Sequence, residues 1–352
     1  DACGNTATCT QTIVFIDQTV PAISCPPNTT VSCNSQVPAV NLNAVTASDN
    51  CGGAVVKSHI GDVISNQTCA DRFTLTRTYQ AMDACGNTAT CSQRITVNDQ
   101  TAPSITCPAN VSVSCASQVP AVDLSTVVSS DNCGGMVVKS HTGDVTTNKV
   151  CDNRYVLTRT YKTTDACGNA ATCAQKITVY DQTAPSITCP AAITVSCAAQ
   201  VPAPNLADLQ VSDNCGGNVI KVCIGDLITN KTCDNRFTIF RTYRATDACG
   251  NSANCTQKIT VYDQTPPTIT CPVNTTVSCA TQVPVPNIND FTVSYNCGGG
   301  VLKVCVGHVV SNKTCYNRFL VTRTYKATEE CGNSTTCTQQ ITVDELKPPN
   351  IT

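Results

Sequence analysis

The chain writes "DACGNTATC" at residues 1–9 and again at 83–91, then "DACGNAATC" at 165–173, "DACGNSANC" at 247–255 and "EECGNSTTC" at 329–337. The cysteines that open these copies, Cys3, Cys85, Cys167, Cys249 and Cys331, are each 82 residues apart. A period this long that never slips marks tandem folded units. Four complete units fit, at 17–98, 99–180, 181–262 and 263–344, with the end of a preceding unit at 1–16 and the start of another at 345–352. A unit of 82 residues has room for only a modest core. Aromatics are sparse, with no Trp, six Phe and nine Tyr, so each unit needs covalent staples.

The staples are the 28 cysteines, a density typical of disulfide scaffolds in an oxidising compartment. The expected location is therefore extracellular, secreted or attached to a cell surface. Net charge is −2 and no run of Lys or Arg suggests a nucleic-acid or membrane-surface footprint. No apolar stretch is long enough to span a bilayer. The sequence starts inside a repeat, so a leader could lie upstream.

Units join without a Gly/Ser linker: "ITVYD" runs through Gln-Thr-Ala-Pro straight into "SITCP" at 177–190. Such a short, proline-bearing join predicts a nearly fixed relation between neighbours. Within a unit the pattern is β throughout. "NVSVSC" and "MVVKSH" are runs of β-formers. In "RYVLTRTYKTTD" at 154–165, Tyr155, Leu157 and Tyr161 share one face and Thr158, Thr160 and Lys162 the other. Arg159 falls on the apolar face, which suggests a sheet margin. "ACGN" between two β runs is a turn signal. Several short strands with turns in about 80 residues predict an all-β sandwich.

The "ITCP" start, the "SDNCGG" before a strand, the "TRTYKTTDACGNAATC" hairpin and the closing "ITVYD" resemble hyalin repeat (HYR) domains. In particular they resemble the cysteine-rich HYR-like repeats of very large secreted surface proteins of environmental bacteria. The resemblance covers essentially the whole chain. It implies tandem immunoglobulin-like sandwiches in an elongated, disulfide-stapled rod, an adhesive or structural extracellular setting, and no catalytic residues.

Each unit carries six cysteines in fixed register: Cys25, Cys33, Cys51, Cys69, Cys85 and Cys91; Cys107, Cys115, Cys133, Cys151, Cys167 and Cys173; Cys189, Cys197, Cys215, Cys233, Cys249 and Cys255; Cys271, Cys279, Cys297, Cys315, Cys331 and Cys337. Six cysteines allow 15 pairings and sequence alone does not choose. In the immunoglobulin-like order that the resemblance implies, the first and last strands run parallel, so Cys107 meets Cys173. The two loops at one end bring Cys133 to Cys167, leaving Cys115 for Cys151. The expectation is three links inside every unit. Zinc is the competing reading, but structural zinc sites favour Cys-x₂₋₄-Cys pairs, and these spacings are wider. Cys223 and Cys305 replace His59 and His141 of the earlier units. They are odd cysteines, to be read as unpaired or intermolecular.

Other candidates are weaker. His59, His141 and His308 sit on repeated strands and read as structural. Asp17, Asp99, Asp181 and Asp263 recur at the joins, Asp49, Asp131 and Asp213 before the third cysteine, and Asp83, Asp165 and Asp247 before "ACGN". Such carboxylates could bind calcium between units, or simply cap turns. Unit four favours turns: Tyr295 replaces one Asp and His308 another. Asn28, Asn110 and Asn274, Asn66, Asn230 and Asn312, and Asn254 and Asn333 fit the N-x-S/T acceptor pattern. The functional expectation is a repeat segment of an extracellular fibre or stalk, with further copies of the same repeats as partners. The alternative is an adhesin module that binds surface glycans or proteins.

Overall fold

A computed structural model describes residues 1–345. The chain divides into two compact units, one of Asp1–Val150 with Arg154–Tyr180, the other of Cys151–Asn153 with the residues from Asp181 onward. The first unit holds repeats 1 and 2, and the second repeats 3 and 4. The segment 346–352, expected to open a further repeat, lies outside the described residues.

Repeat 1 shows the plan. Its strands are β1 (Ala22–Ser24), β2 (Thr29–Val31), β3 (Thr46–Ser48), β4 (Val56–Cys69), β5 (Arg72–Met82) and β6 (Thr88–Asn98). β1 and β3 form an antiparallel pair. The other sheet has the order β2-β6-β5-β4. β2 runs parallel to β6, with Val31 beside Val97, so an N-terminal strand lies beside the last one, while the first strand, β1, belongs to the other sheet. The same two sheets recur in all four repeats. The fold is thus all-β, built of tandem two-sheet sandwiches.

Strict alternation explains the core. Along β5, Phe73, Leu75, Arg77, Tyr79 and Ala81 are buried, because successive side chains point to opposite faces of a strand. Phe73 and Leu75 pack with Ile95 and Val97, against Val31 and Val37. Repeat 3 repeats the cluster with Phe237, Ile239, Ile259 and Val261. Four large side chains make a thin core, so cross-links must share the work.

The buried arginine corrects the expectation of a sheet margin. Arg159 lies on an interior strand, Arg154–Thr164. Its Nε and Nη2 donate to Asp144 at 3.1 and 3.0 Å, and Nη1 donates to the Pro120 carbonyl at 2.8 Å. Asp144 sits on the edge strand facing it, so an ion pair takes the place of an apolar contact. Arg77 with Asp62 and Pro38, and Arg241 with Asp226 and Pro202, repeat the arrangement.

Residues 1–16 keep only half of their expected structure. Asp1 accepts from the amides of Cys3 and Asn5 at 3.0 Å, so the turn forms. No strand follows. Ile13 and Phe15, counterparts of the wholly buried Ile95 and Val97, are 66% and 92% exposed.

Candidate functional site

The candidate site is the junction between consecutive repeats inside each compact unit. It is built from the "DACGN" turn, the "DNCGG" loop, the Asp-Gln-Thr-x-Pro join and the short 3₁₀ turn after β2.

The "DACGN" turn forms because one carboxylate serves three donors. Asp165 Oδ1 accepts from the Cys167 and Asn169 amides at 2.8 and 2.9 Å, and Oδ2 accepts from Asn169 Nδ2 at 2.9 Å. Gly168 takes φ +88°, a left-handed conformation that glycine adopts without a Cβ penalty. The turn holds Asn169 so that its Nδ2 also reaches the Asp99 carbonyl in the join, at 3.3 Å. Arg72, from the preceding repeat, donates to the same carbonyl at 2.5 Å and to the Cys167 carbonyl at 3.1 Å. Asp99 itself is buried and donates its amide to Asp71 at 2.9 Å.

Two disulfides cross this junction. Cys33 pairs with Cys133, and Cys69 with Cys167. In the second unit Cys197 pairs with Cys297 and Cys233 with Cys331, at the same separations of 100 and 98 residues. Cys151 pairs with Cys249 at the 98-residue separation. Among the described residues the links inside a repeat join first and sixth cysteines: Cys25–Cys91, Cys107–Cys173, Cys189–Cys255 and Cys271–Cys337.

The expected links Cys115–Cys151 and Cys133–Cys167, with their counterparts in the other repeats, are therefore not formed. β4 delivers its terminal Cys69 to the far end of its own repeat, beside the next repeat's hairpin turn, and Cys33 leaves β2 towards the next repeat's "DNCGG" loop. Cys115 and Cys215 are likewise in disulfides. Cys51, Cys85, Cys279 and Cys315, expected in links, are thiols. Cys3 and Cys9 are exposed thiols, and Cys223 and Cys305 are half-buried thiols. The Cys51 thiol is pushed above its ordinary pKa, first by its hydrogen bond to Asp17 and then by burial.

The join carboxylates do meet others. Asp17, Asp49 and Cys51, Asp99, Asp131 and Cys133, and Asp181, Asp213 and Cys215 each bring their ligand atoms within 4.8 Å of one another. Asp49, Asp131 and Asp213 each keep one buried oxygen, Oδ1, without a hydrogen-bond donor. The sulfurs of Cys133 and Cys215 are spent in disulfides, which leaves two carboxylates at each of those joins. Repeat 4 fills the gap with a phenol. Tyr295 donates to Asp263 Oδ2 at 2.6 Å and lies 3.1 Å from Glu329 Oε2. Burial raises the Asp263 pKa, but the bonds from Tyr295, Thr265 and Asn296 outweigh it and hold the carboxyl below its usual range. The Tyr295 hydroxyl is pushed upward by burial and by both carboxylates.

Histidine joins the ion pair rather than a catalytic device. His59 Nε2 lies 2.7 Å from Asp62 and His141 Nε2 2.8 Å from Asp144. Among the acceptor asparagines, Asn28, Asn110 and Asn274 use Oδ1 to accept a β6-type amide at 2.8 Å. That leaves the nitrogen, where a glycan attaches, outside the bond. Asn66, Asn230 and Asn312 sit at exposed positions with φ near +55°. Asn254 is exposed and accepts from Arg244 Nε. Asn333 differs, because its Nδ2 donates to the Asp263 carbonyl at 3.1 Å. Sequence reasoning missed Arg72, Arg236 and Tyr295. Arg236 donates to the Asp263 carbonyl at 3.0 Å as Arg72 does to that of Asp99, and the recurrence of Arg as the first residue of each β5-type strand was the available signal for both.

A sequence model for a HYR-like domain with 4 cysteines matches residues 185–261, which lie within repeat 3. No curated protein matches the chain. Among solved structures, the protocadherin gammaB4 extracellular domain aligns at 13% identity over 94% of this chain and 68% of its own, with a TM-score of 0.37. The protocadherin gammaB7 EC3-6 cis-dimer structure aligns at 14% identity over 91% of this chain and 100% of its own, with a TM-score of 0.34. The human desmocollin-1 ectodomain aligns at 12% identity over 91% and 80%, with a TM-score of 0.24.

Proposed function

We infer that this chain is a structural segment of an extracellular fibre or cell-surface stalk. The observation that carries the reading is the pair of disulfides between consecutive repeats, Cys33–Cys133 and Cys69–Cys167. A binding module needs only its own domain to be stable. A chain that joins each domain covalently to the next resists separation of domains, which is what an element under tension requires. Cross-linking a loop of about 100 residues contributes roughly 4–5 kcal/mol in the chain-entropy picture, and disulfides at this density need an oxidising compartment. The HYR-like match in repeat 3 agrees with a secreted repeat protein. The partners are further copies of the same repeats, for which the thiols of Cys51, Cys85, Cys279 and Cys315 hold the register positions that form links elsewhere. Exposed asparagines such as Asn28 and Asn110 supply attachment points for surface glycans.

The adhesive alternative draws on repeat 4 alone, where Tyr295 and His308 replace aspartates. Immunogold electron microscopy of native material tests the two readings. Antibody against this chain should decorate continuous filaments at regular intervals. Label confined to isolated particles or to filament tips would overturn the structural reading in favour of the adhesive one.

A further inference from the structure

Repeats 1, 2 and 3 each bury an arginine and neutralise it with an aspartate directly across the strand pair. Asp62 faces Arg77 and Asp226 faces Arg241 in register. The contacts between guanidinium and carboxylate are 2.8–3.3 Å. The remaining nitrogen always goes to a proline carbonyl at 2.6–2.8 Å.

Repeat 4 keeps the arginine and loses the acid. Arg323 is 4% exposed and still donates to the Pro284 carbonyl at 2.6 Å, but through Nη2, the nitrogen that holds the aspartate in the other repeats, rather than Nη1. In register opposite it stands His308. Arg323 Nε is buried and has no hydrogen-bond partner. An unpaired guanidinium in such surroundings is costly, because its charge is cut off from water. Asp290 lines a separate cleft that Arg323 also reaches, and it takes its own hydrogen bond from Asn287 at 2.8 Å.

Arg323 and His308 line a cleft of about 230 Å³ whose other walls include Val283, Val310, Phe319 and Val321. His308 is exposed and stands on the edge strand Val301–Cys315. It can swing outward without uncovering core. What remains is the buried Nε–H without an acceptor, a charged donor that a carboxylate oxygen satisfies better than a neutral acceptor, beside the apolar side chains of Val283, Phe319 and Val321. One positive charge between apolar walls suits a monoanion better than a phosphate dianion.

We propose that the Arg323 cleft of repeat 4 is a binding site for a carboxylate that takes the place of the aspartate found in the other repeats. The carboxylate comes either from a small organic acid with a short apolar tail or from an Asp or Glu side chain on another polypeptide.

The test uses the whole chain, labelled with ¹⁵N, and follows the arginine Nε–H signals. Two probes are titrated: sodium isobutyrate, and a blocked Gly-Glu-Gly peptide, each against sodium chloride. The Arg323 signal should move saturably with a dissociation constant in the range of about 1–10 mM. The Arg77, Arg159 and Arg241 signals, already bonded to aspartate, should stay still. His308→Asp restores the internal acid and should weaken binding at least about tenfold, while His308→Ala should retain it. A response to isobutyrate alone assigns the site to small acids, and a response to the peptide alone assigns it to an acidic chain. No movement of Arg323 with either probe overturns the proposal. So does equal binding by His308→Asp, or movement of all four arginines together.

Discussion

Cys69 and Cys167 are 98 residues apart in sequence, and their Cα atoms are 5.2 Å apart. The first ends β4 of repeat 1, and the second stands in the hairpin turn of repeat 2. Beside them Arg72 reaches the Cys167 carbonyl and the Asp99 carbonyl. One repeat's hairpin is thus held by the repeat before it, through a covalent bond and a guanidinium. Cys167, Cys249 and Cys331, at the same place in successive turns, are each bonded to the repeat before.

Non-reducing peptide mapping should recover Cys33 joined to Cys133 and Cys69 joined to Cys167, together with the intra-repeat Cys25–Cys91. A peptide joining Cys133 to Cys167 would contradict the cross-repeat arrangement. Reduction should shift every one of these peptides.

The links Cys69–Cys167, Cys151–Cys249 and Cys233–Cys331 form a covalent ladder. Its steps are joined by the stretches 151–167 and 233–249, each spanning about sixteen residues, or about 55 Å of extended chain. Free unfolding of an 82-residue repeat would release about 290 Å. Single-molecule stretching should therefore show contour gains of no more than about 55 Å per repeat in the oxidised chain. Full-length gains should appear only after reduction. Full-length gains without reductant would show that the ladder is not continuous.

The repeat length and the β class were legible because alternation and period are local properties, while the parallel pairing at the sheet edge came from the family resemblance. The link between first and sixth cysteines followed from that parallel pairing. The other links did not, because a periodic sequence is ambiguous about which copy supplies a partner: Cys133 and Cys51 look alike to Cys33. The Arg159 position was read correctly as facing the apolar side. Its partner Asp144 was missed because β4-type strands carry an irregularity, seen in repeat 1 between His59 and Gly61. That irregularity breaks the simple count of faces. Tyr295 was noted as a lost aspartate, but its role as a donor depends on Asp263 and Glu329, which are 32 and 34 residues away.

Acid should weaken the strand pairs that carry the aspartate–arginine bond. The hydrogen bond from Arg77 holds the Asp62 carboxyl below its ordinary pKa against the opposing effect of burial, and Arg159 does the same for Asp144. A carboxylate with a lowered folded-state pKa contributes stability above its unfolded pKa of about 3.9 and loses it as pH falls through the folded value. Asp62→Asn should cost about 3 kcal/mol near neutral pH, since it leaves a buried guanidinium unpaired. Hydrogen exchange along β4 and β5 reads this directly. The wild-type protection should fall below about pH 4, whereas the variant should show a weaker pH dependence there. Equal protection in both at neutral pH would mean the pair contributes nothing.

Tyr295 makes the final case, because one hydroxyl serves two acids. It lies 2.6 Å from Asp263 and 3.1 Å from Glu329, and its bond helps hold the Asp263 carboxyl below the usual range. Tyr295→Phe keeps the ring and removes the donor. A hydrogen bond to a charged group contributes about 1.5–3 kcal/mol, and one pKa unit corresponds to about 1.4 kcal/mol. The Asp263 carboxyl should therefore titrate higher in the variant than in the wild type, as read by ¹³C chemical shift. The sign follows from the loss: without the donor the ionised form is less favoured, and Glu329 now faces Asp263 with no proton between them. Stability near neutral pH should fall accordingly, and protonation at lower pH should restore part of it. Exchange of the Thr265 amide, which donates to Asp263 Oδ1 at 2.9 Å, should quicken in parallel. An unchanged Asp263 titration in Tyr295→Phe would show that the phenol only fills space at this junction.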